Sequence, residues 1–340
     1  MGFRRRGFAL PAVLAVTGVV TLVFLVAITA LASLTSEAAS ARARVRFLQR
    51  ALTAEATIAY IATTEPTTPQ GFAVGQARAI DDLTAPPPQL LPDAPDLIHL
   101  DGRLYSPDND PHLGIRLRDQ AGMINLAALD DTSTQRLAAR LGIERSKATR
   151  LHALKIDYSD VDSLRQTSGA EQGDYGGFLP NRPLLRPSEW LSLLGVRKIV
   201  SPARWRELRG ELAVDHTMPT LNVNTASPEA LQILFGLSLE QANAAVRSRR
   251  NAYFISILAF DQATGALTLA DSEQSYTYLS GRVVYTIQDS QSPWVYRARL
   301  TMTPVGREQP IWIDQTELTE APRRAVADIS NATRFPYAPR

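Results

Sequence analysis

The chain opens with Arg4-Arg5-Arg6-Gly7 and continues, from Phe8 to Leu34, with the stretch FALPAVLAVTGVVTLVFLVAITALASL. This stretch contains no charged residue. At about 1.5 Å rise per residue, a helix of this length crosses a hydrocarbon core of roughly 30 Å. The sequence therefore predicts a membrane-spanning helix over residues 8–34, with the three arginines on the cytoplasmic side.

Two fates of this apolar segment must be compared. A secretory signal has a shorter apolar region ending at a small-residue cleavage site, and Ala30-Leu31-Ala32 would serve as one. An apolar run that starts directly after Gly7 instead resembles a type IV prepilin leader, residues 1–7. That resemblance implies that a prepilin peptidase cleaves after Gly7, N-methylates Phe8 and leaves the helix in the mature protein. Twin-arginine export gains little support, because adjacent arginines alone do not define that signal.

The residues beyond the apolar run favour its retention. Apolar side chains recur at helical spacing there, namely Val45, Leu48, Leu52 and Ala59. Charged and polar residues, including Glu55, lie between them and predict a polar helix face. We therefore predict one long helix, with residues 8–34 in the membrane or fibre core and residues 35–64 as the periplasmic half of a spine. An ordinary amphipathic helix packed on its own domain fits the same pattern.

Position five counted from Phe8 is Ala12, where prepilins usually carry glutamate. In pilins that glutamate is thought to neutralise the free amino terminus of the subunit above, because a buried unpaired ammonium is costly. A subunit with no neighbour above it has no such requirement. Ala12 therefore fits a subunit that caps a fibre at its tip or initiates it.

Composition limits the remaining function classes. The 340 residues allow one large or two modest soluble domains beyond the anchor. The lack of cysteine excludes disulfides and thiolate metal sites. Without the three leader arginines, the 36 basic residues fall to 33, against 34 acidic ones. A chain so balanced is not built for nonspecific binding of polyanions.

Patterning beyond the spine predicts a sheet domain interrupted by helices, an α+β fold. The prediction divides it into a first head segment at residues 65–121, an inserted helical domain at 122–266, a second head segment at 267–319 and a flexible tail at 320–340. The first head segment begins with a proline-rich linker, followed by a hairpin around Asp101-Gly102 and a strand at 114–118. Alternation predicts strands in the second head segment at 276–288, 294–303 and 311–315.

Helix caps define the inserted domain. Thr132 with Gln135 and Ser238 with Gln241 have capping-box spacing, and Ser227-Pro228 predicts a third helix start that Gly236 ends. Ile124-Asn125 and Leu221-Asn222 each precede a helix, a glycine turn and a second helix. The block is thus interpreted as a helix-hairpin-helix, SAM-like domain with weak signs of duplication.

Four motifs follow one another along the chain: RDQAGMINL at 118–126, IDYSDVD at 156–162, GAE at 169–171 and LNVNTA at 221–226. Their succession resembles the minor pseudopilin K family of the type II secretion system, also called general secretion pathway protein K. The resemblance implies a pilin-like fold, in which a long N-terminal helix packs on an antiparallel sheet, with a large inserted all-helical domain. Tyr158, Ser159 and Ala127 depart from the usual family residues at their positions.

The same resemblance implies a function and a set of partners. It implies a non-enzymatic subunit, anchored by one span in the inner membrane with a periplasmic head, at the tip of the pseudopilus. The implied partners are the minor pseudopilins I and J, the major pseudopilin fibre, the prepilin peptidase and the inner-membrane assembly platform. Nucleic acid is not among the partners that the resemblance implies.

Calcium binding in the inserted domain is also implied by the resemblance. The acidic cluster there consists of Asp157, Asp160, Asp162, Glu171 and Asp174, of which Asp160, Asp162 and Glu171 are the best candidate ligands. Calcium takes six to eight oxygen ligands, so such a loop is chemically suitable. The alternative is that these acidic residues only cap helices and stay solvated. Asp108-Asn109-Asp110 lacks the glycine and distal glutamate of an EF-hand and is interpreted as a turn.

Two other functions fit parts of the sequence. Residues 221–254 also resemble the helix-hairpin-helix of membrane-anchored competence proteins that bind DNA, with Arg247, Arg249 and Arg250 as the local basic run. A tip minor pilin of a type IV pilus would share the leader and the spine. Enzymatic function is not indicated, because the histidines at 99, 112, 152 and 216 lack zinc-ligand spacing and no nucleophile or phosphate-loop motif occurs.

Overall fold

A computed structural model describes residues 9–75, 92, 94–177, 180–217, 221–266, 277–303, 309–321 and 328–336. Contacts divide the chain into two units, Met1–Thr53 and Ala54–Arg340. Gly7 and Phe8 lie outside the described residues, so cleavage and methylation at these positions remain predictions.

The described part of the first unit is one helix, α1, which runs from Ala9 to Thr64 and thus continues into the second unit. It is long and apolar enough to cross a membrane, and the apolar side chains of its first half are exposed. Thr17 and Thr21 donate their hydroxyls to the carbonyls of Val13 and Thr17, both at 2.8 Å. In a lipid environment such internal bonds satisfy hydroxyls that water cannot reach. The predicted single spine helix is therefore confirmed, and Ala12 lies in its exposed N-terminal part.

The second unit adds strands and further helices to the end of α1. The strands are β1 (Thr67–Thr68), β2 (Gly71–Ala73), β3 (Leu97–His99), β4 (Asp101–Ser106), β5 (Leu113–Asp119), β6 (Ile124–Asn125), β7 (Leu212–Ala213), β8 (Arg282–Asp289), β9 (Trp294–Met302), β10 (Ile311–Glu320) and β11 (Thr333–Arg334). The helices are α2 (Asp131–Arg140), α3 (Arg145–Ala148), α4 (Leu151–Ser159), α5 (Val196–Ile199), α6 (Pro202–Leu208), α7 (Pro228–Phe235), α8 (Leu239–Asn251) and α9 (Ile257–Thr264).

The main sheet has the order β10-β9-β8-β5-β4-β11. All its pairs are antiparallel except β11 on β4. Strands β5 and β8 are neighbours in the sheet, yet the chain between them contains α2 to α9. The predicted α+β fold with a helical insertion is therefore confirmed. The insertion also holds a short parallel ladder between β6 and β7.

The insertion has its own hydrophobic core. This core is continuous and includes Leu137, Leu151, Trp190, Leu231 and Phe260, each buried. Trp190 stacks on the indole of Trp205 with ring centroids 6.3 Å apart. Burial of large apolar side chains at roughly 25 cal/mol per Å² is the main stabilising term for such a domain.

The end of α1 is buried through an apolar stripe other than the one noted in the sequence. Ala54, Ile58 and Ile61 are buried, whereas Val45 and Leu52 are 55% and 45% exposed. The sequence contains two apolar stripes at helical spacing, and helical spacing alone does not rank them. Val45 and Leu52, which recur at helical spacing in the sequence, therefore do not mark the packing face, because the buried stripe is the one that carries the two isoleucines.

Several local predictions also require correction. The expected hairpin at Asp101-Gly102 does not form, because β3 pairs with β2 and β4 pairs with β5, leaving Gly102 at a bulge in β4. The N-cap of α2 is Asp130, whose carboxylate accepts from the N–H of Ser133 at 2.7 Å, rather than Thr132.

The linker and the tail contain strands that were not predicted. Strands β1 and β2 lie in the proline-rich segment. Strand β11 lies in the tail that was expected to be flexible, and Phe335 is buried against the ring of Tyr105. The strands at β5, β8, β9 and β10, the caps at Ser227 and Ser238, and the turn at Asp108-Asn109-Asp110 agree with prediction.

Candidate metal centre

The acidic cluster predicted from the sequence lies where the chain leaves α4. Asp157 is in the last turn of α4 and is fully buried, and Asp160 caps the helix with its N–H bonded to the Ile156 carbonyl at 2.9 Å. The following loop returns to this point, so that Gly169 and Glu171 face the end of the helix. A Cβ atom on Gly169 would lie only 1.8 Å from Oδ2 of Asp157.

Several oxygens of this cluster are shielded from solvent and have no hydrogen-bond donor within the described residues. They are Oδ2 of Asp157, Oδ1 of Asp160, both carboxylate oxygens of Glu171 and Oδ1 of Asn181. Buried acceptors of this kind are rare and costly, since each has lost its water without gaining a partner. Their concentration in one loop is compatible with a cation as the partner.

The other polar atoms of the cluster are held by the loop backbone. Oδ1 of Asp157 accepts from the N–H of Gln166 at 3.0 Å, and Oδ1 of Asp162 accepts from the N–H of Leu164 at 2.8 Å. Asn181 donates its side-chain amide to the carbonyl of Asp162 at 3.1 Å. Each of these bonds fixes one end of a polar side chain.

The electrostatics of the cluster are unfavourable without a cation. Burial raises the pKa of Glu171, and the negative charges of Asp157, Asp160 and Asp162 raise it further. Burial also raises the pKa of Asp160, as do the charges of Asp162 and Asp157. A divalent ion would relieve both the mutual repulsion of the carboxylates and their lack of hydrogen-bond donors.

Asp174, the fifth acidic residue of the predicted cluster, is directed elsewhere. Its Oδ2 accepts from the N–H of Glu171 at 3.0 Å and lies 3.5 Å from the guanidinium of Arg165. The structure therefore brings together Asp157, Asp160, Asp162 and Glu171 but not Asp174.

The residues present fit calcium better than a transition metal, because the donors are carboxylate and amide oxygens alone. Within the described ranges, no three His, Cys, Asp or Glu side chains are already placed to hold a metal ion. The carboxylates would therefore have to close around the ion. Asn181 does not stand out in the sequence, since its contribution depends on a left-handed backbone (φ 40°) that brings it back to the loop.

The segment that resembles the helix-hairpin-helix of DNA-binding proteins, residues 221–254, contains α7 and α8. In DNA-binding versions, backbone amides at the hairpin turn meet phosphate. Here the turn between α7 and α8 contains Gly236 at φ 71°, and Ser238 with Gln241 forms a reciprocal capping box that occupies two amides. Arg136 covers the same turn by donating to the carbonyls of Ile233 and Leu234 at 3.3 and 3.2 Å.

Of the three arginines in the basic run of this hairpin, only two are exposed. Arg249 is 5% exposed and donates to the carbonyls of Val223 and Ala226 at 3.0 and 2.6 Å. Burial lowers its pKa to about 10. Arg249 therefore holds the hairpin together, which leaves Arg247 and Arg250 as exposed cations.

Fold and site together define a class: an α+β protein with one membrane-length N-terminal helix, whose end packs on an antiparallel sheet, and a helical insertion in that sheet. Residues 221–280 match the family model of type II secretion system (T2SS), protein K. The matched segment includes α7, α8 and α9, and it confirms the resemblance to the protein K family stated from the sequence. That family is one of structural pseudopilins rather than enzymes.

No curated protein matches the chain. Among solved structures, the chain is similar to one in the GspK-GspI-GspJ complex of the type 2 secretion system from enterotoxigenic Escherichia coli, with a TM-score of 0.47 and 14% identity. The match covers 68% of this chain and 89% of that one. A likeness of this degree carries no conclusion about function.

Proposed function

We propose that the chain is the K-type minor pseudopilin of a type II secretion system. In this function it initiates or caps the pseudopilus at its tip and supports export of folded proteins across the outer membrane. The observation that carries the proposal is the match of residues 221–280 to protein K. The same segment resembles DNA-binding proteins in sequence, so its match to protein K favours the pseudopilin over the competence protein.

Two features support a position at the fibre tip. The insertion between β5 and β8 enlarges the head well beyond a helix packed on a sheet, and such bulk is hard to accommodate within a fibre shaft. Ala12 offers no carboxylate to an amino terminus above it, as a terminal subunit requires none. The apolar helix would anchor the chain in the inner membrane before assembly, with the head in the periplasm.

Partners follow from the proposed position. The solved complex contains GspI and GspJ beside GspK, and we propose the corresponding minor pseudopilins I and J as partners of this chain. The prepilin peptidase, the assembly platform and the major pseudopilin fibre complete the proposed set. Catalysis is not part of the proposal.

Calcium is proposed as the cofactor of the acidic cluster. Asp157, Asp160, Asp162 and Glu171 would hold it, with Asn181 as a further oxygen donor. The ion would supply positive charge where these oxygens have no donor, and would tie the loop to the end of α4. The loop backbone already orients Asp157 and Asp162 for this role.

The test is deletion of the gene in the native host, with complementation by the full chain. We expect exported enzymes to accumulate in the periplasm, while twitching motility and DNA uptake stay normal. Loss of twitching with normal export would instead indicate a type IV pilus tip subunit. Loss of DNA uptake with normal export would indicate a competence protein, and either result would contradict the proposal.

A further inference from the structure

A cavity of about 120 Å³ lies between the inserted domain and one face of the main sheet. The inserted domain contributes Arg186, Trp205 and Arg209 to its wall, and the sheet contributes Arg297, Arg299 and Glu317. Four guanidinium groups thus line one cavity together with one carboxylate. An excess of positive charge in a partly enclosed, partly dehydrated space favours a bound anion.

The pairing of these arginines leaves the positive charge incompletely compensated. Arg209 forms an ion pair with Glu317, and Arg299 forms a bidentate pair with Asp314 at 2.8 and 2.7 Å. In the part of the chain that the structure describes, Arg297 donates to backbone alone, to the carbonyls of Arg209 and Leu212 at 3.1 Å each. Among the described residues, neither Arg297 nor Arg186 has a carboxylate within ion-pair distance.

Backbone geometry at the rim of the cavity is unusual. Strand β10 has a bulge between Asp314 and Glu317, and Gln315 in this bulge has a φ of 51°. A left-handed conformation is unfavourable for glutamine, and such outliers concentrate at functional sites. Gln315 and Thr316 both line the cavity, and the Gln315 amide donates to the Leu185 carbonyl at 3.3 Å. The bulge therefore brings a further amide and a hydroxyl to the arginines.

From this arrangement we infer that the cavity binds an oxyanion of the size of phosphate, sulfate or a carboxylate group, with Arg186 and Arg297 as its main partners. Guanidinium groups match such anions because two N–H groups can bond two oxygens at once. Two of the five N–H groups of Arg297 are used by carbonyls, which leaves three for a ligand. The anion is either free in solution or carried on the acidic side chain of another protein.

The test uses the full chain in detergent and two titrants, inorganic phosphate and N-acetylglutamate amide, with chloride as the control salt. Binding is followed by calorimetry and by tryptophan fluorescence, since Trp205 lines the cavity. We expect saturable binding of at least one titrant. Phosphate binding indicates a free anion as ligand, whereas preference for N-acetylglutamate amide indicates an acidic side chain. No saturable binding of either one overturns the inference.

Matched variants separate a site from general charge attraction. Arg186→Gln removes an exposed guanidinium from the cavity rim, and Arg197→Gln makes the same charge change at an exposed position outside it. We expect about tenfold weaker binding for the former and no change for the latter, as the loss of one charge-assisted bond implies. Equal weakening in both would overturn the inference.

A further variant fills the cavity with a carboxylate of the protein itself. Thr316→Asp places a carboxylate beside the arginines, so we expect the thermal midpoint to rise and phosphate binding to be lost. A lowered midpoint with phosphate binding retained would contradict the assignment of the anion to this cavity.

Discussion

At the scale of single residues, Asp119 joins the sheet to the insertion. It is the last residue of β5 and is 1% exposed. Its Oδ2 accepts from the Asn222 amide at 2.9 Å and the Thr225 hydroxyl at 3.0 Å, while Oδ1 accepts from the hydroxyl and N–H of Ser280 at 2.6 and 3.0 Å. Burial raises the pKa of Asp119, and these hydrogen bonds oppose that rise.

Asp119→Ala should therefore lower the free energy of unfolding by about 3 kcal/mol or more, because buried donors on three residues lose their acceptor. Urea denaturation measures the loss. The matched control is Asp108→Ala, which removes an exposed ion pair with Arg334 and should cost about 0–1 kcal/mol. Equal losses in the two variants would show that Asp119 is not a junction residue.

Gly169 gives the sharpest test of the metal centre. A Cβ at this position would overlap Oδ2 of Asp157, whereas a Cβ on Gly173 in the same loop would meet no atom within 4 Å. We expect Gly169→Ala to weaken calcium binding by about tenfold or more, since displaced support of a ligand has effects of this size. Gly173→Ala should bind as the unchanged protein does. Calorimetric titration with calcium measures both, and unchanged affinity in Gly169→Ala would place the ion elsewhere.

The sequence identified the acidic cluster but not the residues that organise it. Asp160, Asp162 and Glu171 could be selected because acidic residues recur within a short stretch. Asn181 and Gly169 could not, because their roles depend on backbone conformation and on contacts between residues far apart in sequence. Arg249 was assigned to a basic run, and only the fold shows that carbonyls surround it.

At the scale of elements, the end of α1 is fixed to the sheet by a polar contact as well as by apolar packing. Glu55 accepts hydrogen bonds from the hydroxyls of Tyr285 on β8 and Tyr296 on β9, the latter at 2.6 Å. Burial raises the pKa of both tyrosines, and the bond to Glu55 raises it further.

This contact predicts a pH dependence. In the unfolded chain, tyrosine releases its proton near pH 10, whereas the folded state keeps both protons to higher pH. The folded state then binds more protons, so stability should fall as pH rises above about 10. Tyr285→Phe with Tyr296→Phe should flatten that fall in denaturation measured from about pH 8 to 11. The exposed Tyr278 provides the control, Tyr278→Phe, and an equally steep fall in the double variant would refute the contact.

The α7–α8 hairpin should bind no DNA. Its turn amides are capped by Ser238 and Gln241, and Arg136 covers the same turn. In a mobility-shift titration of the full chain with duplex DNA, we expect no saturable complex at physiological salt. A saturable complex that disappears in the Arg247→Gln/Arg250→Gln variant would restore the competence hypothesis.

Elements were predicted best where local sequence and tertiary context agree. The capping box at Ser238 and the alternation of apolar and polar residues in β9 could be predicted, because neither depends on residues distant in sequence. The hairpin predicted at Gly102 does not form, because β3 and β4 each pair with another strand. The packing face of α1 could not be read from the sequence, because the sheet, not helix periodicity, decides which of two apolar stripes is covered.

At the scale of the whole molecule, the order of elements carried more information than any motif. A retained apolar helix, strands, a helical block and further strands predicted an insertion, and the neighbouring positions of β5 and β8 confirm it. In the described part of the tail, strand β11 was not predicted, because it pairs with only two residues of β4 and its composition is that of a loop.

The proposed function depends most on a prepilin-type origin, in which the leader is removed and the apolar helix is kept. The decisive measurement is the intact mass and amino-terminal sequence of the protein recovered from membranes of its native host. We expect a chain that begins with N-methylated Phe8. A chain that begins near Ser33, or one that still carries Met1, would contradict it.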